Sequence, residues 1–145
     1  MSEPASRPAA LGDAAAIHDL LLRLADEIPL AVETLEQEEA LYAAVRKILA
    51  FGQSWVALEG ERVVGCVLVD SAEVGRHWGE NELLNLRYAA GERLDALIGK
   101  VVERAVPITA SVRNANRSGL APLLEKLGFR ESETRIGERR FRRDP

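Results

Sequence analysis

One stretch of the chain constrains its fold more than any other: residues 109–129, T-A-S-V-R-N-A-N-R-S-G-L-A-P-L-L-E-K-L-G-F. Ile108, Ala110 and Val112 are apolar and alternate with polar residues, which is the period of a strand with one buried face. The polar run at residues 113–117 breaks that period, and an apolar stripe with helical spacing follows it. The stretch therefore predicts a buried strand, an Asn-containing turn and a short amphipathic helix.

The sequence marks both ends of this helix. Ser118 is a favourable N-cap residue, and Pro122 is tolerated only in a first turn, where its missing N–H would have no helical partner. Gly128 can adopt the left-handed conformation that ends a helix. We therefore predict a helix that begins after Ser118 and ends before Gly128.

The composition is that of one domain spanning residues 1–145. Of these residues 47% are hydrophobic and 29% are charged, and a chain of this length buries about 70% of its unfolded surface. The net charge of -4 argues against a general nucleic-acid or membrane-surface binder. One cysteine, Cys66, permits no internal disulfide, and we find neither a signal peptide nor a long apolar run. These features predict a cytoplasmic protein.

The rest of the chain divides into strands and helices by the same periodicities. The predicted elements are a strand at 6–10, a helix capped by Asp13, a helix with a Thr34–Gln37 capping box that ends at Gly52, a hairpin at 54–58 and 63–69, a strand at 82–88, a helix at 92–104, and a final hairpin at 130–143. A strand, helix and strand in succession normally form a right-handed crossover between parallel neighbours. We therefore expect an α/β fold, a mixed twisted sheet of six to seven strands flanked by four helices.

This order of elements resembles the GNAT superfamily of acyl-CoA-dependent N-acyltransferases over nearly the whole chain. Arg7-Pro8-Ala9 with Asp13 is similar to the usual opening of these proteins, and residues 55–70, which include V-V-G, resemble their hairpin. The most specific part is residues 116–129, which resemble the segment N-x-x-S/A followed by L-x-E-K-L-G-F that lies along the cofactor.

The resemblance implies that strands four and five splay apart and that acetyl-CoA binds between them as the acyl donor. The pantetheine arm would pair with strand four, and the diphosphate would bind backbone N–H groups at the start of the next helix. An amine would attack the thioester directly, and an acid would protonate the leaving thiolate. The implied cofactor contacts are Leu86, Arg87, Tyr88, Gly91, Glu92, Arg93, Leu94, Asp95, Ala96, Asn116 and Ser118.

Three features depart from the family pattern. The diphosphate loop (Q/R)-x-x-G-x-(G/A) aligns with residues 90–95, so Arg93 replaces a glycine and Asp95 replaces a Gly or Ala. Leu124 stands where many members carry a Tyr that protonates the thiolate, and Asn116 lies one residue further than usual from the G-F pair. A carboxylate about 4 Å from a phosphate charge repels it by roughly 4 kcal/mol at an effective dielectric of 20. These departures keep open an alternative, a non-catalytic binding or interaction module that has lost CoA binding.

Two residues are candidates for catalysis. Glu82 opens strand four, where some relatives carry a general base, and burial would raise its pKa toward that role; the alternative is a solvated residue at the end of the strand. The phenol of Tyr88 would replace the missing acid, unless Tyr88 only packs in the core. His77 and Trp78 would reach over an acceptor site, or else be solvated. The two histidines and the cysteine are too scattered to predict a metal site.

The tail, residues 130–143, mixes arginine with glutamate and is typical of the solvated face of a strand pair. The alternative is that part of it faces an acidic substrate or a partner subunit, as it would in a homodimer. The expected acceptor is a primary amine of a small molecule or of a protein, and the sequence does not identify which.

Overall fold

The computed structural model describes residues 5–71 and 83–145, which form a seven-stranded mixed sheet with helices on both faces. The predicted order of elements and the mixed sheet are confirmed. The elements are β1 (Ala5–Pro8), a 3-10 turn (Leu11–Asp13), α1 (Ala14–Arg23), α2 (Leu35–Phe51), β2 (Trp55–Glu59), β3 (Arg62–Ser71), β4 (Leu84–Gly91), α3 (Leu94–Val102), β5 (Ile108–Arg113), α4 (Leu120–Lys126), β6 (Arg130–Arg135) and β7 (Glu138–Arg143).

The strand order of the sheet is β1-β2-β3-β4-β5-β7-β6. All neighbouring strands are antiparallel except β4 and β5, which run parallel because α3 connects them. The helix α4 makes a second crossover, from β5 to β6, which moves across the sheet in the same direction as the crossover from β4 to β5. Both helices therefore pack on one face of the sheet, where Leu97, Ile98 and Leu124 join a single buried cluster.

The opposite face of the sheet is covered by α1 and α2. Ile17 and Leu21 of α1 and Val45 of α2 pack there against Leu68 of β3. These residues recur at helical spacing, so each helix buries one apolar stripe on the sheet. Within residues 5–71 and 83–145, none of the helices combines the length and the hydropathy that crossing a bilayer requires.

The two early helices begin differently. The Thr34 hydroxyl accepts the Gln37 N–H at 3.2 Å and the Gln37 side chain accepts the Thr34 N–H at 3.1 Å, so the predicted capping box is confirmed. Asp13 makes no side-chain bond to the start of α1. Its carboxylate instead accepts hydrogen bonds from both terminal nitrogens of Arg7, at 2.8 and 2.9 Å. Asp13, which was predicted to cap α1, therefore joins β1 to the start of α1 through a bidentate ion pair.

Some predicted boundaries were wrong by a few residues. Strand β4 continues past Tyr88 to Gly91, because β3 pairs with it as far as Gly65. Helix α3 begins at Leu94 rather than at residue 92. The N-cap of α4 is Gly119 rather than Ser118.

Candidate functional site

Strands β4 and β5 separate from each other after three residue pairs. Their register runs from Leu84 opposite Ile108 to Leu86 opposite Ala110 and ends there. Both strands continue beyond that point, β4 along β3 to Gly91 and β5 along β7 to Arg113. The expected splay between the fourth and fifth strands is therefore present.

A β-bulge in β4 marks the point of separation. Leu86 pairs with Val69 and Tyr88 pairs with Leu68, so Arg87 is an extra residue with no partner of its own. A bulge bends its strand and increases the local twist. The bend coincides with the place where β4 leaves β5, and it leaves the β5-facing edge of residues 87–91 without a neighbouring strand.

The splay opens into a cleft of about 570 Å³, within the range of about 300–1,000 Å³ that is usual for small-molecule sites. Residues 85–89 of β4 and 111–113 of β5 line its two sides, and α2 and the segment 28–32 lie over it. Two hydrogen bonds from Arg117 join the chain after β5 to the chain after α1. Arg117 donates its N–H to the Glu27 carbonyl at 2.8 Å and its guanidinium to the Asp26 carbonyl at 3.2 Å.

A row of three polar side chains crosses the strands beside the closed end of the cleft. Thr109 donates its hydroxyl to the Asn85 Oδ1 at 3.0 Å, and the Asn85 Nδ2 donates to the Asp70 carboxylate at 3.1 Å. Asn85 also lines the cleft. Sequence reasoning missed Asn85 and Asp70, although an asparagine inside a central strand is unusual enough to have pointed to them.

The segment between β4 and α3 lies directly on β3. The Glu92 N–H donates to the Val64 carbonyl at 2.9 Å. A Cβ on Gly91, whose φ is 88°, would lie 2.2 Å from the Val64 oxygen, and a Cβ on Gly65 would lie 2.0 Å from the Glu92 oxygen. These contacts give a physical reason for the glycine of V-V-G and for Gly91: the two backbones approach too closely for any side chain.

The start of α3 differs from an open anion site. Arg93 has a φ of 61° and a ψ of 31°, the left-handed conformation that a non-glycine residue adopts at a cost. The exposed Asp95 turns its carboxylate back and accepts the Ala96 N–H at 2.9 Å. One of the N–H groups that the resemblance assigns to a diphosphate is therefore already bonded, to a negative charge. Leu94 is buried, so only its main chain faces this end of the helix.

Asn116 and Ser118 bond to each other. The Ser118 N–H and hydroxyl donate to the Asn116 Oδ1 at 3.0 and 2.8 Å. This pairing engages the hydroxyl that was predicted to cap α4. Asn116 lines the cleft, whereas Ser118 is not part of its lining.

The predicted strand-four contacts Leu86, Arg87 and Tyr88 all line the cleft. Tyr88 is half-buried, packs against the cluster under α1 and α2, and has the Arg87 guanidinium 5.7 Å from its ring centroid. Among the described residues its hydroxyl makes no hydrogen bond. Glu82, His77 and Trp78 lie outside the described residues.

Two other side chains are unsuited to the chemistry. Leu124 is fully buried among apolar residues and has no acidic proton, so it cannot protonate a thiolate. Cys66 is also fully buried, and burial raises the pKa of its thiol to about 12, so the thiolate that a nucleophile requires does not form near neutrality. In the two described ranges, no group of three or more His, Cys, Asp or Glu is placed to hold a metal ion.

No protein-family model and no curated protein matches this sequence. Solved structures, in contrast, match over almost the whole chain. The polyamine N-acetyltransferase of Drosophila melanogaster, which catalyses the formation of N-acetylagmatine, has a TM-score of 0.72 at 14% identity, with 99% of this chain and 100% of that chain covered.

Two further structures show the same likeness. The PaiA N-acetyltransferase from Thermoplasma acidophilum in complex with coenzyme A has a TM-score of 0.70 at 11% identity, covering 99% of this chain and 100% of that one. A mosquito arylalkylamine N-acetyltransferase, like 5b, has a TM-score of 0.71 at 12% identity, covering 97% and 99%. Since these structures and an acetyltransferase of the GNAT family from Streptococcus agalactiae match over almost the whole chain at TM-scores of 0.70 to 0.72, the chain has the fold of the GNAT superfamily.

Proposed function

We propose that this protein transfers an acetyl group from acetyl-CoA to an amine, and that the reaction takes place in the cleft between β4 and β5. The observation that carries the proposal is the splay itself. Residues 87–91 of β4 keep one edge free of β5, and an extended amide chain such as pantetheine can pair with such an edge as an added strand. Arg87 and Tyr88 would supply this edge, Leu86 would lie at its start where β5 still pairs, and Asn116 would contact the arm from the β5 side.

The proposed reaction is a direct acyl transfer. The amine nitrogen attacks the thioester carbonyl, a C–N bond forms, and the C–S bond breaks when the adduct collapses. The departing thiolate takes a proton, for which our candidate donor is the Tyr88 phenol, which makes no hydrogen bond to a described residue. Glu82 stays our candidate for the base that removes the proton from the amine. The Asn85 amide, held by Asp70 and Thr109, lines the cleft and is our candidate for orienting the reacting groups.

The structural neighbours support an amine as the acceptor class. Two of them are described as acting on polyamines, agmatine or arylalkylamines, and a third was solved with coenzyme A. The particular amine of this chain does not follow from theirs. A cytoplasmic location and a homodimer stay predictions.

A second candidate function rests on the start of α3. Arg93 and Asp95 replace the small residues of the diphosphate loop, and the Asp95 carboxylate occupies the Ala96 N–H. A helix N-terminus attracts an anion by about 0.3–1 kcal/mol, so a fixed negative charge at that position can cancel the attraction. This arrangement favours a non-catalytic binding module with the same fold.

Calorimetric titration with acetyl-CoA, followed by thioester consumption over a panel of amines, separates the two functions. An acetyltransferase should bind acetyl-CoA at micromolar concentration and release CoA only when an amine is present. Absence of heat at millimolar acetyl-CoA would overturn the enzyme proposal and leave the binding module.

A further inference from the structure

The side chains of β5 and β7 divide sharply between the two faces of the sheet. Ile108, Ala110 and Val112 of β5 and Phe141 of β7 are buried under α3 and α4. The alternate β5 residues, Ser111 and Arg113, point to the other face, and their register partners there are Arg140 and Glu138. This second group lines the cleft on the side where α2 lies.

Three arginines line the cleft without an acidic partner among the described residues. Arg87, Arg113 and Arg140 form no ion pair with any residue in the described ranges. Their neighbours behave differently. Arg139, on the opposite face, pairs with Glu125 and Glu131 at 3.3 and 2.7 Å, and Arg142 pairs with Asp144 at 3.0 Å. The cleft therefore contains three arginines that form no ion pair with a described residue.

The charge of the cleft is correspondingly positive. Glu138 is the one carboxylate that lines it among the described residues, against the three arginines. Low-dielectric walls strengthen the field of such a group of charges. Guanidinium groups bind carboxylates and phosphates through paired hydrogen bonds, whereas a polyamine would be repelled.

We propose that the acceptor carries an anionic group, a carboxylate or a phosphate, besides its amine, and that Arg113 and Arg140 bind this group while Arg87 faces it across the cleft. The inference rests on the proposed acetyl transfer and names its substrate class. It differs from the polyamine chemistry of the neighbour from Drosophila melanogaster.

The same arginines could instead serve the phosphates of acetyl-CoA, and the faces of the sheet argue against this. The helix whose start would hold the diphosphate, α3, packs on the face where Val112 and Phe141 are buried. Arg113 and Arg140 project from the other face. The anion that they bind should therefore belong to the second substrate.

The test compares amines that differ only in the anionic group. O-phosphoethanolamine is paired with ethanolamine, β-alanine with propylamine, and spermidine serves as the cationic comparison. Steady-state rates are measured for wild type, Arg113→Gln, Arg140→Gln and the control Arg62→Gln, which removes an exposed arginine in the β2–β3 hairpin away from the cleft. Circular dichroism verifies that each variant is folded.

Wild type should prefer the anionic member of at least one pair by about tenfold or more in kcat/KM, the discrimination expected from a charge-assisted hydrogen bond. Each cleft variant should raise the KM for that acceptor about tenfold, leave the KM for acetyl-CoA unchanged, and differ in both respects from Arg62→Gln. The phosphate and carboxylate pairs show which anion is used.

Three results would overturn the inference. Spermidine could be the better acceptor, the cleft variants could leave the acceptor KM unaltered, or they could raise the KM for acetyl-CoA instead. Consumption of acetyl-CoA with spermidine alone would refute the anionic acceptor and keep the proposed acetyl transfer. If no amine in the panel supports thioester consumption and acetyl-CoA does not bind, the proposed function fails and this inference fails with it.

Discussion

The Asp95 carboxylate accepts the Ala96 N–H at 2.9 Å, inside the first turn of α3. The residue before this helix, Arg93, has the left-handed φ of 61°. The two residues that depart from the diphosphate-loop pattern thus act on the same few backbone groups. The Asp95 carboxylate occupies an N–H group that could otherwise bind a diphosphate. Arg93 adopts a left-handed conformation that would cost glycine no strain.

Restoring the two small residues should strengthen acetyl-CoA binding. In the double variant Arg93→Gly/Asp95→Ala, the Ala96 N–H is freed and a carboxylate is removed from the diphosphate position. We expect the Kd for acetyl-CoA, measured by calorimetry at low salt, to fall about tenfold, which corresponds to about 1.4 kcal/mol.

The single variant Arg93→Gly is the matched control for the backbone. Because a left-handed conformation costs a non-glycine residue about 1–2 kcal/mol, we expect this change to keep or slightly increase the free energy of unfolding. An affinity of the double variant equal to that of wild type would show that the start of α3 takes no part in binding CoA.

Alanine at Gly91 should destabilise the fold severely. Its Cβ would lie 2.2 Å from the Val64 carbonyl oxygen at a backbone φ of 88°, so both overlap and strain oppose it. We expect a loss of about 3 kcal/mol in the free energy of unfolding, measured with urea.

Gly99 provides the contrast. It lies within α3, and a Cβ there would meet no atom within 4 Å. Gly99→Ala should therefore stabilise the protein by about 0.5–1 kcal/mol, since alanine favours the helix. Equal effects at the two positions would refute the close approach of residues 91–92 to β3.

Removing the Tyr88 phenol should slow catalysis and leave binding intact. General acid catalysis typically contributes about 10²–10⁴-fold, so Tyr88→Phe should lower kcat about 100-fold with little change in the KM for acetyl-CoA. Tyr42→Phe, at a half-exposed tyrosine that contacts His18, should retain the wild-type kcat. If the Tyr88→Phe enzyme were as fast as wild type, Tyr88 would not be the acid, and solvent would protonate the thiolate instead.

The stabilisation by Asp13 should depend on pH in one direction. The hydrogen bonds from the Arg7 guanidinium lower the pKa of the Asp13 carboxyl in the folded protein. The stabilisation is therefore fully present above the unfolded-state pKa and is lost as the pH falls through the lower, folded-state pKa.

At pH 7 we expect Asp13→Asn to reduce the free energy of unfolding by about 1 kcal/mol, a value typical of a partly exposed ion pair. The difference from wild type should shrink in acid, as urea unfolding at several pH values would measure. Glu61→Gln, in the β2–β3 turn, serves as the control and should show no such dependence. A constant difference down to acid pH would mean that Asp13 acts through packing.

Periodicity and turn residues sufficed to predict most of the fold. The capping box at Thr34, the first-turn Pro122 and the helix end at Gly128 were all predicted, because each depends on a preference of a few consecutive residues. The long-range consequences were harder to predict. That Asp13 binds Arg7 instead of the helix is decided by how β1 lies against α1.

The site was predictable only in part, for a similar reason. Leu86, Arg87 and Tyr88 were expected along strand four and do line the cleft, whereas the Asp70–Asn85–Thr109 row depends on the register of three strands. That Arg113 and Arg140 form no ion pair with any other residue the structure describes depends on which face of the sheet each side chain takes. Strand register and the face that each side chain takes depend on tertiary structure, so the local sequence around these arginines does not predict them.

The brief pairing of β4 and β5 also has a mechanical consequence. Three residue pairs are the only strand contact that joins the block β1–β4 to the block β5–β7–β6 in the described part of the chain. This seam is the line along which the sheet should yield first under strain. A ligand that spans the cleft would contact both blocks and so resist their separation. The hydrogen bonds from Arg117 to residues 26–27 also join chain segments on either side of the cleft.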